Sequence, residues 1–441
     1  MNYGLINDCR ATARERLDAL REYVWSATFP KSTGEVNNHI HTVYSFSPYT
    51  PAMAALKARE AGLEVAGSVD HDSIGGAEEM LEACDILGLG GVVGFELRVS
   101  FAGTPFATKK INNPDSIGVA YMTIQAIDVK CIPEVKRFLT PIREARKERT
   151  RRMTEKVNKE LGIRNYELGI PNSSSVPSCL CEKKDLKVSL TEAQRHGGEK
   201  DGELGFLDFE RDVLGRSMFA EDGEVTERHL LAAVAEKLIE CYGKGAALLE
   251  GLTKNFGIVP SPKVATMLAD SNNPHLLFDV LGVLKSSLLE QVFEQPGTDE
   301  CIPVAEALAF AKRIGAVSAY AYLGDVGESP TGDKKAEKFE DDFIEPLFEE
   351  LKRMGFDAVA YMPPRNTLDQ LLRVQALCKQ NGLMEISGVD INSSRQSFNC
   401  PEVLKPEFRH LVDTTWELVR RQRTQGGTFL SQRHRGTEEN Q

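Results

Sequence analysis

Short apolar segments recur along the chain, each bounded by a turn and most followed by a stretch of helical character. Seven are present: EVNNHIHT, LEVAGSV, GGVVGFELRVSF, IGVAYMTIQAI, GAVSAYAYL, FDAVAYM and LMEISGV. Strands that alternate with helices are typical of parallel sheets. The pattern therefore predicts a parallel, barrel-like α/β domain.

Helix signals separate the first two of these segments. Thr50 suits an N-cap, Pro51 suits the first helical position and Gly62 suits the end of the helix, with AMAALKAREA between them. This stretch predicts one β-α-β unit.

The fourth and fifth segments are too far apart for a single crossover connection, since one ends near residue 127 and the other begins near residue 315. Three helices are predicted in this gap, from PIREARKERTRRMTEKVNKELG, TERHLLAAVAEKLIECYG and HLLFDVLGVLKSSLLEQVF, and PNSSSVPS is predicted as a flexible loop. We expect a helical extension over 1–35, a barrel from 36–127 and 301–425, a helical insertion over 128–300, and a flexible tail over 426–441.

The basic run from Arg143 to Lys156 resembles an RNA-binding arm, but Glu144, Glu148 and Glu155 interrupt it at helical spacing. This pattern favours a solvated helix face with salt bridges along it. We assign no chemistry to it.

The composition is that of an ordinary globular protein, with 41% hydrophobic and 27% charged residues in 441. A net charge of -12 argues against an extended nucleic-acid surface, whereas a small substrate fits. Nine scattered cysteines, and no signal peptide or membrane-length apolar stretch, predict a cytoplasmic protein with reduced thiols. The oligomeric state stays open.

Candidate chemistry begins with His39 and His41 in the first segment. Residues i and i+2 of a strand point to the same side, so the two imidazoles would lie together. An HxH pair alone is a weak metal signal, because a strand histidine is more often a core or surface residue.

Ligand-type residues also follow other segments: Asp70, His71 and Asp72 in SVDHDS, Glu96 in GFEL, and Asp390 in GVDINSSRQ. The carboxyl ends of parallel barrel strands open on one face, so these side chains are expected to converge there. A single aspartate after a strand is commonly a helix N-cap, but four such strand ends favour a shared metal site.

In that order, HIHTVYS, SVDHDS, GFEL and GVDINSSRQ resemble the PHP (polymerase and histidinol phosphatase) superfamily of metal-dependent phosphoesterases. The resemblance covers roughly residues 36–125 and 300–400. It implies a distorted seven-stranded (β/α) barrel of TIM-like character, interrupted by a helical insertion. It also implies hydrolysis of a small phosphorylated substrate by metal-activated water.

By the same resemblance, His39, His41, Glu96 and Asp390 bind the first metal, and Glu96 bridges to a second. A histidine of the insertion usually helps to bind the second metal, and His229 occupies that place. From pattern alone, a plain surface histidine fits His229 equally well.

Three positions depart from the family pattern: Phe46, Tyr322 and Asn392 stand where ligand-type residues are usual. An aromatic ring cannot coordinate, and a phenol or a carboxamide is a weak ligand. We therefore expect one or two divalent ions, with zinc, manganese or iron all suited to the mixed ligands.

The remaining expected site residues are His71, Asp70 and Tyr322 for catalysis, and Arg365, Arg395, Lys109 and Asn392 for the substrate. Arginine forks match phosphate oxygens, although each arginine could instead pair with a carboxylate. Two alternatives stay open: an amide or lactone hydrolase, and a ligand-binding protein of this fold that has lost the reaction.

Overall fold

The computed structural model describes residues 3–161, 206–326 and 338–425. The predicted loop PNSSSVPS and the predicted tail over 426–441 lie outside the described residues. Within the described residues, no helix is both long and apolar enough to cross a bilayer.

A curled sheet forms the centre of the fold, and all seven predicted segments are strands in it. The order along the sheet is β1-β2-β3-β4-β6-β7-β8, and the two-residue β5 pairs with β3. The strands are β1 Val36–Ile40, β2 Val65–His71, β3 Gly90–Ser100, β4 Val119–Gln125, β5 Ile302–Pro303, β6 Val317–Ala321, β7 Ala358–Tyr361 and β8 Met384–Ser387.

The prediction of an all-parallel sheet is wrong at one strand, because β4 runs antiparallel to both β3 and β6. No α-helix lies between β3 and β4, so the chain turns back beside β3 without the crossover that a parallel pair needs. The other pairs along the path are parallel. The ends of β1, β2, β3 and β8 therefore still face the same side.

Fourteen α-helices surround the sheet or fill the insertion in the described residues: α1 Tyr3–Ile6, α2 Ala13–Ser26, α3 Pro51–Glu60, α4 Ala77–Leu87, α5 Ile132–Glu160, α6 Glu227–Tyr242, α7 Ala246–Phe256, α8 Pro262–Ala269, α9 Leu276–Ser287, α10 Leu289–Val292, α11 Val304–Arg313, α12 Ile344–Met354, α13 Leu368–Asn381 and α14 His410–Gln425. The predicted start of α3 is confirmed, since the Thr50 side chain accepts the amide N–H of Met53.

Two separate hydrophobic clusters divide the core. One is formed by the strands and their flanking helices, and the other by the end of α5 together with α6 to α10. Phe46, in the loop after β1, packs against the second cluster. The loop that follows the two histidines is therefore a contact between the sheet and the insertion helices.

The predicted solvated face of α5 is wrong for three arginines. Arg143, Arg146 and Arg149 are buried side chains. They continue the stripe of buried positions that includes Leu139 and Met153, so a helix face that is apolar at its ends carries guanidinium groups at its centre. Their partners are described below.

Candidate metal centre

The ends of β1, β2 and β8 and the interior of β3 bring the candidate ligands to one place, since β3 continues past Glu96 to Ser100. Residue His71 of β2 pairs with Glu96 of β3 in the parallel ladder. The amide N–H of His41 donates to the carbonyl of Ile391 (2.9 Å), and that of Ile391 donates to the carbonyl of His39 (3.1 Å). These bonds bring the chain after β8, with Asp390, beside the chain after β1.

Close backbone approach at this junction requires Gly388. A Cβ atom at that position would lie 2.5 Å from the Cβ of His39, which is closer than real side chains allow. Any side chain there would push the segment before Asp390 away from His39. The glycine in GVD therefore has a direct role in the geometry of the site.

His39, His41 and Glu96 form the group of described residues that could hold a metal ion, with their ligand atoms within 4.8 Å of one another. Glu96 Oε2 lies 3.8 Å from His39 Nε2 and 3.7 Å from His41 Nε2. Asp390 lies outside this group, but its Oδ1 is 3.3 Å from His41 Nε2. Donors that share one tetrahedral ion through bonds of about 2.1 Å are separated by roughly 3.4 Å, so the separations within the group suit a common cation.

One buried atom gives an independent test of that fit. His41 Nε2 is inaccessible to solvent and makes no hydrogen bond. Burial lowers the pKa of His41, despite the nearby charge of Asp390, and this favours the neutral imidazole that metals bind. Burial opposes ionisation of Asp390, but His41 and His39 hold its pKa below the usual value. A divalent cation needs neutral imidazoles and an ionised carboxylate. His41 and Asp390 are shifted toward those forms, whereas at His39 burial is outweighed by Glu96 and Asp390, which raise the pKa of the imidazole.

His71 lies in contact with this group. Its Nδ1 is 3.2 Å from Glu96 Oε2, and its ring stacks on that of His41 with centroids 4.5 Å apart. The contact engages one ring nitrogen with Glu96, and the residue also lines the adjoining cavity.

The carboxylate of Asp70 supports the turn after the two histidines. It accepts hydrogen bonds from the amide and hydroxyl of Thr42 (both 2.6 Å) and from the hydroxyl of Ser45 (2.7 Å). Ser45 Oγ is also 3.4 Å from His41 Nδ1. In this geometry, Asp70 acts on His41 through Ser45, as partners behind a metal ligand commonly do.

The structure does not bring His229 into the metal-capable group. The residue is buried rather than on the surface, and its Nδ1 accepts the amide N–H of Thr226 (3.0 Å) at the start of α6. The ring of Phe46 packs edge-to-face against it, with centroids 4.9 Å apart. Burial is the largest cause that lowers the pKa of His229 to about 3.

A cavity of about 240 Å³ adjoins the metal-capable group. Its walls include side chains from the strand ends, from the loop before β4 and from insertion helices α6 and α9. The lining side chains that the following paragraphs use are His39, His71, Glu96, Asp390, Tyr322, Asp115, Glu227, Arg228, Lys285, Arg365 and Asn392.

The expected substrate-binding residues fall into two sets. Arg365 and Asn392 line the cavity. Arg395 is not among its lining residues and pairs with Asp279 of α9 (2.6 Å), because the loop after Asp390 points it toward the insertion. Lys109 is exposed and lies over the ring of Phe343, also outside the lining.

Tyr322 lines the cavity, but its hydroxyl donates to Asp341 Oδ1 (2.6 Å). Burial and this hydrogen bond raise the pKa of Tyr322. The phenol is therefore un-ionised and directed at a carboxylate of the protein, which disfavours it as a proton donor to substrate.

Two cavity-lining cations, Arg228 and Lys285, were missed in the sequence. Arg228 stands next to His229 in the first turn of α6, and Lys285 lies near the end of α9. Neither stands in a recognisable motif, and both reach the cavity only because the insertion packs over the sheet. The one available signal was the neighbourhood of His229.

Buried arginines extend from the cavity into the protein. Glu96 and Arg98 are two residues apart on β3, so both side chains project from the same face of that strand. Arg98 forms an ion pair with Glu300, which also accepts from Arg149 Nε (2.6 Å). Arg146 Nη1 donates to Asp72 Oδ2 (2.6 Å), and Arg146 Nη2 lies 3.4 Å from Glu227 Oε2.

These guanidinium groups keep Glu227 ionised. Burial alone would raise the pKa of Glu227, but Arg146, Arg98 and Arg149 hold it well below the usual value. Glu227 is therefore an ionised carboxylate whose charge is matched inside the protein.

No family model matches the chain, and no curated protein matches it. Among solved structures, a protein from Bifidobacterium adolescentis described as a "putative metal-dependent phosphoesterase" aligns over 89% of this chain and 98% of its own, with 17% identity and a TM-score of 0.49. An amidohydrolase from Chromobacterium violaceum, solved with sulfate and no metal, aligns over 86% and 95%, with 15% identity and a TM-score of 0.47. Both likenesses concern the course of the chain, so the chemistry is argued from the side chains of this site.

Proposed function

We propose that the protein is a metal-dependent hydrolase, and specifically a phosphoesterase of the PHP type that acts on small phosphomonoesters. The observation that carries the proposal is His41 Nε2, a buried nitrogen without a hydrogen bond that faces the carboxylates of Glu96 and Asp390. Burying such an atom is costly unless it is satisfied, and a cation among these donors satisfies it.

His39, His41, Glu96 and Asp390 would hold the ion. A bound divalent ion lowers the pKa of water and polarises a phosphoryl oxygen. Asp70 and Ser45 would keep the His41 ring in the orientation that presents Nε2, and Gly388 would keep Asp390 close.

His71 is the proposed acid/base residue, because it contacts Glu96 through one ring nitrogen and lines the cavity beside the metal-capable group. Asp70 and Tyr322 are proposed to act by position, since their polar atoms are engaged with other protein groups. His229 has no proposed ligand role, because its Nδ1 accepts the amide N–H of Thr226, which leaves the hydrogen of the neutral ring on Nε2.

The insertion over residues 128–300 is proposed to cover the cavity and select the substrate. Its helices α6 and α9 contribute the cations Arg228 and Lys285 to the lining of the cavity. A cavity of about 240 Å³ suits a small substrate rather than a polymer.

The first test is metal content by elemental mass spectrometry on protein purified without chelator. We expect one to two equivalents of a transition metal in the wild type and a marked reduction in Asp390→Ala and His41→Ala. Asp413→Ala, which changes an exposed aspartate of α14, is the matched control and should keep the wild-type content.

A substrate panel then separates the chemistries, because phosphate and carboxylate are distinct products. Release of phosphate from phosphomonoesters, dependent on the metal, is the expected result. Cleavage of amides or lactones instead would favour the amidohydrolase alternative. A folded protein without metal, even after incubation with zinc, manganese and iron, would contradict the hydrolase proposal and favour a ligand-binding protein.

A further inference from the structure

The geometry points to Arg228 as the residue that binds the phosphoryl oxygens of the substrate, held in place by Phe46 and Asn392. This inference rests on the proposed phosphoesterase function and deepens it. It assigns a role to Arg228, which lies in no recognisable motif, and to Phe46 and Asn392, which cannot serve as good metal ligands.

Arg228 is joined to the metal-capable group by two hydrogen bonds in series. Its Nη2 donates to Asn392 Oδ1 (3.1 Å), and Asn392 Nδ2 donates to Asp390 Oδ1 (2.7 Å). The carboxamide therefore sets the distance between the guanidinium and the proposed ligand. An ionised aspartate at position 392 could not make both contacts, because a carboxylate only accepts hydrogen bonds.

Phe46 supports the same side chain from another direction. The guanidinium carbon of Arg228 lies 5.5 Å from the centroid of the Phe46 ring, within the range of a cation–π contact. Phe46 is itself packed against the His229 ring and the insertion core. A planar guanidinium on a fixed ring loses few orientations when it binds a ligand.

Charge balance in the cavity favours a dianion. With a divalent ion bound, the charges of Glu96 and Asp390 are matched, and Glu227 is matched by arginines behind it. Three cations, Arg228, Lys285 and Arg365, also line the cavity, together with one further carboxylate, Asp115.

A phosphomonoester carries close to two negative charges at neutral pH, whereas an amide or lactone carries none at its reacting group. Charge-assisted hydrogen bonds from a lining guanidinium therefore favour the phosphomonoester. Arg228 is the cation joined through Asn392 to a proposed ligand, which places it at the metal end of the cavity.

Binding of inorganic phosphate, measured by isothermal titration calorimetry on metal-loaded and chelator-treated full-length protein, tests the inference without relying on turnover. We expect Arg228→Gln to weaken phosphate binding about 10- to 100-fold in the loaded protein, the range of a lost charge-assisted pair. Arg228→Lys keeps the charge but loses the forked guanidinium, so its phosphate affinity should lie between those of Arg228→Gln and the wild type. Arg313→Gln changes an exposed arginine paired with Glu134 outside the cavity, and should match the wild type.

Two positioning variants complete the test. Asn392→Ala and Phe46→Leu should each weaken phosphate binding about 3- to 10-fold and raise KM more than they lower kcat, whereas Phe46→Tyr, which keeps a ring, should stay within about twofold of wild type. If Asn392→Ala and Phe46→Leu bind phosphate as the wild type does, the positioning role is overturned.

The outcomes separate this inference from the function on which it rests. Arg228→Gln with wild-type metal content and unchanged phosphate affinity overturns the role of Arg228 and leaves the metal-dependent hydrolase intact. A wild-type protein that binds neither metal nor phosphate overturns both. Wild-type metal content with selectively weakened phosphate binding in Arg228→Gln supports the inference.

Discussion

The two walls of the cavity are built in different ways. The wall at the strands includes His39, Glu96 and Asp390 and adjoins His41, and these residues lie on or directly after strands that are neighbours in the sheet. The other wall includes cations on helices of the insertion, backed by buried arginines whose acidic partners are far away in sequence. The first wall follows from local sequence, whereas the second depends on how the insertion packs.

Buried charges are balanced in different ways on the strand side and on the insertion side of the cavity. On the strand side, the carboxylates adjoin imidazoles, and the proposed cation between them would be exchangeable. On the insertion side, Arg98 and Arg149 share Glu300 as a permanent counter-ion. Loss of a permanent partner should therefore affect folding, whereas loss of a ligand should affect metal binding.

The largest effect is expected for Glu300→Gln. The change leaves two buried guanidinium groups without their shared charge, which should cost about 3–5 kcal/mol of unfolding free energy. Urea unfolding measures it. Glu345→Gln, which breaks an exposed pair with Arg373, should cost less than about 1 kcal/mol. Similar losses in the two variants would contradict the comparison between a buried network and the surface.

Glu340 provides a buried carboxylate held by neutral groups, namely the amide N–H of Leu323 (2.8 Å) and the hydroxyl of Tyr320 (3.3 Å). Burial raises its pKa to about 7 from 4.5. The folded state binds the proton more tightly, so the stabilisation is present below pH 4.5 and is lost as the pH rises to 7.

Over that range, the wild type should lose about 3 kcal/mol relative to Glu340→Gln, since each pKa unit corresponds to about 1.4 kcal/mol. Unfolding midpoints of both proteins at pH 4.5, 6 and 8 measure the difference. Parallel pH profiles would show that Glu340 does not bind a proton differently in the folded state.

Part of the site was predictable because it is local. The spacing of His39 and His41, the strand that contains Glu96 and the sequence GVD before Ile391 all carry their geometry within a few residues. The antiparallel β4 was not predictable from its apolar pattern, which is the same in either direction.

The buried face of α5 was misread for a physical reason. Arginines among glutamates resemble a solvated helix, and the sequence of the helix does not show a partner such as Glu300. A signal was nevertheless present, because Leu139, Ile142, Arg146, Arg149 and Met153 follow the spacing of one helix face. Arginines on an apolar stripe indicate a buried ionic network.

A smaller effect is expected for Asp70→Asn. The carboxylate accepts three hydrogen bonds, and a carboxamide replaces one acceptor with a donor. We expect a loss of about 1–3 kcal/mol in stability and about tenfold in metal affinity, because Ser45 would no longer steady His41. Competition with a chelator measures the affinity. Lost turnover at full metal affinity would instead favour a direct catalytic role for Asp70.

The smallest effect concerns His410, a surface histidine of α14 whose Nε2 lies 3.0 Å from Glu385 Oε2. That hydrogen bond is the main cause that raises the pKa of His410. The stabilisation is therefore complete below the unfolded pKa of about 6.5 and is lost as the pH rises through the raised folded value.

Since 40% of the His410 side chain is exposed, screening should limit the contribution to less than about 1 kcal/mol. His410→Gln should lower the unfolding free energy at pH 5.5 and have almost no effect at pH 8.5. A double-mutant cycle with Glu385→Gln assigns the difference to this pair, because a coupling that vanishes at pH 8.5 requires a protonated imidazole. Equal losses at both pH values would instead indicate a packing role for His410. The pair would then lack the ionic character that the buried arginine network is expected to show at every pH.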